Sequence, residues 1–300
     1  MPSSGLLQRI WRARTIYLFI SPFFALFAIF QFFPLVWSFY MSFHEWNGLG
    51  PMEPIGLQNY RFLLRDEVFH TALGNTVIYW LANGLLILPL ALLLANFLAM
   101  PHLAGRRLMR SVMFLPYVTA TVAVGLIFNM IFDFNSGLVN SLLNAVGLPS
   151  VPWLTSVEIS KLPVIFLNVW RLTPWYTLIL LSGLQGMNPE LHEAATVDGA
   201  GPVQRFFSIT IPVLMPILFF CFITLTIDSF RIFTEPYILT QGGPGNSSLS
   251  IVQYLYLNGF RIFKLGLASA IGYALTFILL IVSAAQIVLL LRQSGLTEVN

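Results

Sequence analysis

Long apolar runs alternate with short polar connectors along most of the chain. Six of them cover roughly 16–39, 72–99, 112–132, 162–186, 209–233 and 265–291. Each has the about 20 residues that a helix needs to cross the about 30 Å hydrocarbon core of a bilayer, with some tilt to spare. Backbone in lipid must satisfy its own N–H and C=O groups, so runs of this length predict helices. The pattern predicts an all-α integral membrane protein, a single domain over 1–300, with six transmembrane helices around a cavity. The connector 187–208, between the fourth and fifth runs, carries its own short charged helix. Pro22, Pro89, Pro116 and Pro174 fall inside runs and predict kinks there, since proline lacks an N–H and crowds the carbonyl four residues back.

Composition agrees with lipid as the solvent: 57% of residues are hydrophobic, 9% are charged, and the mean hydropathy is +0.80. Soluble domains carry about 25% charged residues. Arg9, Arg12 and Arg14 before the first run imitate the start of a signal peptide, but the run is too long and lacks a small-x-small cleavage site, so it reads as a retained helix. These arginines, together with Arg106, Arg107, Arg110 and Arg292, orient the chain by the positive-inside rule with both termini cytoplasmic. Arg61, Arg65, Lys161, Arg261 and Lys264 vote the other way. Alternation of spans then places 187–208 in the cytoplasm and 40–71, 133–161 and 234–264 outside. The net charge of +3 reflects the flanking arginines and implies no nucleic-acid partner. Cys221, the sole cysteine, lies in the fifth run, so no intrachain disulfide is possible.

The chemistry of an enzyme is missing from this pattern. A phosphate-cradling G-x-x-x-x-G-K-[ST] loop is absent, and the two lysines, Lys161 and Lys264, do not follow glycines. His44, His70, His102 and His192 are scattered and form no H-E-x-x-H pair, and there is no G-x-S-x-G nucleophile elbow. The expectation is a non-catalytic chain with no metal and no cofactor of its own.

The segment Asn188–Pro212, NPELHEAATVDGAGPVQRFFSITIP, departs most from the membrane pattern. Asn188-Pro189 marks a helix start, Glu190 and Glu193 suit the positive end of a helix dipole, Ala194 and Ala195 favour helix, and Gly199 can end it in a left-handed conformation. Alone, a Glu-Ala-Ala triplet is a common piece of helix. The full spacing, Glu193-Ala194-Ala195, then Gly199, then Ile209-x-Ile211-Pro212, resembles the EAA signature of permease subunits of binding-protein-dependent ABC importers. Ile211 stands where that family usually has leucine. Further tracts are similar to the carbohydrate branch of the family: Gly56–Tyr60, Ala72–Thr76, Leu115-Pro116-Tyr117 and Thr240–Gly245. The last is typical of the subunit similar to the larger permease of the maltose transporter.

Polar residues within the runs suggest a pathway, because ionisable groups in a span usually face a cavity or one another. Asn168, Arg171 and Trp175 share one helical face of the fourth run. Thr224, Asp228, Arg231 and Glu235 line up on the fifth, and Asn75, Tyr79 and Asn83 on the second. The alternative for the second and fifth stripes is structural, with Asp228 and Arg231 neutralising each other and the asparagines bonding between helices. The resemblance implies sugar-contacting positions at Tyr117 and Thr121, at Asn168, Arg171, Leu172 and Trp175, and at Leu225 and Ser229. Arg171 replaces a neutral family position and Leu225 a small polar one, which implies a substrate other than maltose. Packing between helices is the other reading of Trp175.

The resemblance also implies the rest of the machine. A second, similar permease completes the pore, two ATPase subunits hold ATP and magnesium, and an extracytoplasmic binding protein delivers sugar. The ATPase-coupling residues are then Glu190, Glu193, Ala194, Ala195, Asp198 and Gly199, with Arg205 a further charge for docking. An ion-coupled secondary transporter would use Asp228 and Arg231 but has no need of the 188–212 segment. A non-transporting membrane assembly factor would need neither.

Overall fold

The computed structural model describes residues 11, 14–100 and 103–293; Arg9, Arg12 and the side chain of Arg292, used above for orientation, lie outside the described residues. Helices account for nearly all regular structure: α1 (Arg14–Met41), α2 (Gln58–Leu63), α3 (Glu67–Ala99), α4 (Arg106–Val118), α5 (Thr121–Ile131), α6 (Leu138–Ala145), α7 (Lys161–Gln185), α8 (Pro189–Val197), α9 (Ile211–Phe230), α10 (Thr234–Leu239), α11 (Ile251–Tyr256) and α12 (Leu265–Gln293). Among the described residues, α1, α3, α7, the stretch Pro202–Leu239 and α12 through Leu290 are long and apolar enough to span a bilayer. The bent pair α4–α5 makes a sixth candidate. By internal contacts the described residues form two compact units, one from those before 65 with 255–274, the other from those in 65–254 with 275–293.

In the first unit, α1 buries none of its residues, and Leu18, Phe19 and Phe30 are each more than 70% exposed. Such a surface suits lipid rather than water. A π-turn at Ala28–Phe32 lies just before Pro34. A second, Phe206–Thr210 in the other unit, lies just before Pro212. In both, proline cannot donate to the preceding turn and its ring crowds the carbonyl behind it, so the helix widens there instead of breaking.

After α1 the chain makes a two-residue antiparallel ladder, β1 (His44–Glu45) with β2 (Glu53–Pro54). Asn59 on α2 donates from Nδ2 to the Ser42 and His44 carbonyls, each at 3.0 Å. The start of α12 closes on this loop, with Leu265 N donating to Trp46 O at 2.9 Å. A Cβ on Gly266 would lie 1.9 Å from the His44 carbonyl oxygen. Gly266→Ala is therefore expected to lower thermal stability in detergent by several degrees or prevent accumulation. Gly74→Ala, on a helix with open space at that point, is expected to be neutral or slightly stabilising.

In the second unit, α3 packs along α7 and α9 through Ile87, Ala91 and Ala95 against Leu172, Tyr176, Leu180, Leu214 and Leu225, all buried. The third apolar run, read from the sequence as 112–132, is not one straight helix. α4 ends where Thr119 N donates to Leu115 O and the Thr119 hydroxyl donates to Pro116 O at 2.8 Å. Extended backbone at Thr119 and Ala120 then turns the chain by 91° into α5. The fifth run stops at Phe230, three residues short of its expected end at 233, and α10 restarts the helix at Thr234.

The polar stripe of the second run serves packing. Asn75 Nδ2 donates to Asn246 O at 2.8 Å and Leu249 O at 3.0 Å, Tyr79 Oη donates to Ser248 O at 2.9 Å, and Thr76 Oγ1 accepts from Ile251 N at 3.0 Å. These bonds hold the Thr240–Ser250 loop, which contains the GGPG tract. Gly242 has φ +85°, and a Cβ there would lie 2.9 Å from the Leu249 side chain and 3.0 Å from that of Gln253, so the loop requires glycine. Asn75→Ala leaves two carbonyls without their donor; a loss of about 1–3 kcal/mol is expected, readable as a lowered unfolding midpoint in detergent.

Candidate functional site

Two features stand apart from packing: a polar cavity beside α7 and α9, and the short helix α8.

The cavity, of about 390 Å³, is lined by Tyr117 of α4, Asn168, Arg171 and Leu172 of α7, and Asp228, Arg231, Ile232, Phe233, Thr234 and Glu235. On α7 the 3.6-residue repeat puts Asn168 and Arg171 on one face, with Leu172 beside them. The helix is interrupted between Phe230 and Thr234, and Glu235 of α10, only 4% exposed, meets Arg171 there. Arg171 Nη2 and Nε both donate to Glu235 Oε1, at 2.9 and 3.2 Å. Two donors of one guanidinium on a carboxylate make a strong, oriented, charge-assisted contact. Asp228 Oδ2 accepts from Tyr176 Oη at 3.0 Å, so Asp228 and Arg231 line the cavity without pairing with each other; the described ion pair joins Arg171 to Glu235 instead.

Of the expected pathway residues, Tyr117, Asn168, Arg171, Leu172, Asp228 and Arg231 line this cavity. Trp175 is 38% exposed and stacks on Tyr117, with ring centroids 4.9 Å apart and planes inclined by 14°. Thr121 opens α5 just past the bend, half-buried and outside the lining. Leu225 and Ser229 are fully buried: Leu225 belongs to the apolar cluster shared with α3 and α7, and Ser229 Oγ accepts from Asn83 Nδ2 of α3 at 3.0 Å. Glu235 stood in the fifth run's polar stripe, but its partner could not be read there, because the break at 231–233 ends the helical register the stripe assumes. Tyr176 left no signal at all. It reads as an ordinary buried aromatic until its hydroxyl is seen on Asp228.

Helix α8 has both ends closed by its own sequence. The Asn188 side chain accepts from Glu190 N at 3.1 Å, with Pro189 following at the first turn. At the other end Gly199 adopts φ +81°, Gly199 N donates to Thr196 O at 3.1 Å, and Ala200 N donates to Ala195 O at 2.9 Å. That pair of bonds is a Schellman motif, which satisfies the last carbonyls without outside help. Glu190, Glu193, Ala194, Asp198 and Gly199 are exposed and Ala195 is half-buried. Leu191, Val197 and Val203 add exposed apolar surface, Val197 at 88%. Arg205 Nη1 donates to Thr196 Oγ1 at 2.5 Å, tying α8 to the turn Pro202–Arg205 that runs through the π-turn into α9.

Several apolar spans, a polar cavity within them and a self-capped charged helix between two of them define a membrane transport subunit. Residues 87–294, more than half the chain, match the family described as binding-protein-dependent transport system inner membrane component. The chain belongs to this family and is a multi-pass, non-catalytic inner-membrane permease component of an ABC transporter. It is 36% identical to the arabinooligosaccharides transport system permease protein AraP of Bacillus subtilis, covering 89% of this chain and 85% of that protein. It is 34% identical to the trehalose/maltose transport system permease protein MalF of Thermococcus litoralis, over 88% and 89%. A bacterial ABC transporter involved in the import of the acidic polysaccharide alginate has the same fold in a chain 24% identical, with a TM-score of 0.84 over 96% of this chain and 98% of that one.

Proposed function

We propose that this permease forms half of a pore that imports a sugar or oligosaccharide. A second, similar permease forms the other half, two ATPase subunits bind and hydrolyse ATP with magnesium, and an extracytoplasmic binding protein delivers the sugar. Both termini and α8 lie on the cytoplasmic side, as the arginines at the start of α4 and Arg14 favour. The observation that carries the reading is α8 itself: a helix capped at both ends, exposing apolar and acidic residues, and joined through Arg205 and an unbroken helical lead-in to α9. That is the form of a lever. Closure of the ATPase pair moves α8, and α9 transmits the movement to the cavity that holds sugar.

Sugar as cargo is supported by the relatives named for arabinooligosaccharides and for trehalose and maltose. The cavity chemistry suits it: Asn168, Thr234 and the Tyr117 hydroxyl can meet sugar hydroxyls, while the Tyr117–Trp175 stack offers an aromatic face for the apolar side of a pyranose. The test is sugar-stimulated ATPase activity of the assembled transporter with its binding protein. Sugar is expected to raise ATP turnover in the intact complex and to have no effect when this chain is left out. Trp175→Ala is expected to cut that stimulation several-fold with assembly unchanged. A full response in the variant would return Trp175 to packing.

A further inference from the structure

We infer that the cavity selects uncharged saccharides, and that Glu235 sets this preference by cancelling the charge of Arg171. The inference rests on the reading of this cavity as the sugar site. Four ionised side chains line it: Arg171 and Arg231 are cationic, Asp228 and Glu235 anionic, so the charges sum to zero. One cation and one anion are also balanced locally, as the Arg171–Glu235 pair. Arg171, 21% exposed, is the cation that would greet an anionic ligand beside Asn168, and both of its described bonds go to one oxygen of Glu235. Asp228 is held by the Tyr176 hydroxyl and adds an anion to the same lining as Arg231. A ligand carboxylate entering here would have to compete with Glu235 for Arg171, and its attraction to Arg231 would be offset by repulsion from Asp228 in the same lining, whereas hydroxyls pay neither cost.

Glu235 also explains how an arginine can stand at a sugar-lining position. Unpaired and partly desolvated, Arg171 would draw in any anion; paired, it offers oriented N–H groups with no net charge. Glu235 is nearly inaccessible, so it acts as a positioning residue rather than as a direct contact.

The test is ligand binding by the purified, assembled transporter without its binding protein, using two matched probes: a neutral trisaccharide, arabinotriose or maltotriose, and trigalacturonate. The native complex is expected to prefer the neutral probe. Glu235→Gln leaves Arg171 with an uncompensated charge and is expected to shift the ratio of the two affinities toward trigalacturonate by about tenfold or more, less at high salt. The double variant Arg171→Gln/Glu235→Gln restores neutrality and is expected to return the ratio to within about threefold of native, which a general loss of structure could not do. The inference is overturned if the native complex prefers trigalacturonate, if Glu235→Gln leaves the ratio unchanged, or if the double variant keeps the single variant's ratio. In each of those cases sugar-stimulated ATPase activity can persist, so the sugar-site reading survives. Binding of neither probe would overturn both.

Discussion

Gly199→Asp is expected to abolish uptake while the spans still insert and the chain still accumulates. The reason lies in what the structure around Gly199 does not contain. A Cβ at this position would meet nothing within 4 Å, so no clash arises within the chain. The left-handed conformation, φ +81°, costs a non-glycine residue about 1 kcal/mol and aspartate tolerates it better than most. That is too little to unfold spans this long. The new carboxylate instead sits at the negative end of α8, next to Asp198, on the face proposed to dock with the ATPase. A central interface position altered in this way loses about 3 kcal/mol of docking, roughly a hundredfold in affinity. Transport assayed beside membrane levels of the protein separates the two effects. Uptake above half of native at normal expression would remove α8 from the coupling role.

Arg171→Ala is the second large effect, and it falls on stability as well as on transport. Glu235 is 4% exposed and its described partner is Arg171. Removing the arginine strands a buried carboxylate, and breaking such a pair from one side costs about 3–5 kcal/mol. Glu235→Gln should cost less, because the arginine left behind is 21% exposed and can take water from the cavity. The expected order of thermal stability in detergent is native, then Glu235→Gln, then Arg171→Ala. The reverse order for the two variants would mean that the carboxylate, not the guanidinium, has access to water.

What the sequence made legible follows from the range of each interaction. The apolar runs anticipate the spans because lipid imposes a length on every helix, and the ends of α8 were readable because Asn188, Pro189 and Gly199 act on their immediate neighbours. The breaks were less visible. Pro116 signalled a distortion in the third run, but the turn itself is made three residues later by Thr119 and Ala120. Nothing local announced that the fifth run would stop at Phe230. The cavity was half legible for the same reason. Tyr117, Asn168 and Arg171 fall on readable faces or motifs. The Arg171–Glu235 pair joins residues 64 apart across a helix break, and periodicity carries no information about such a contact. The asparagine stripe of α3 could be read as pathway or as glue until Asn75 was seen to donate to the Thr240–Ser250 loop and Asn83 to Ser229 of α9.

Energy is proposed to reach this chain from a separate ATPase. Uptake into proteoliposomes holding both permeases and the ATPase pair, with the binding protein outside and ATP inside, tests this route most directly. Uptake of a neutral oligosaccharide is expected to stop when internal ATP is removed and to be indifferent to proton and sodium gradients. Uptake driven by an ion gradient with no ATPase subunit present would contradict that route.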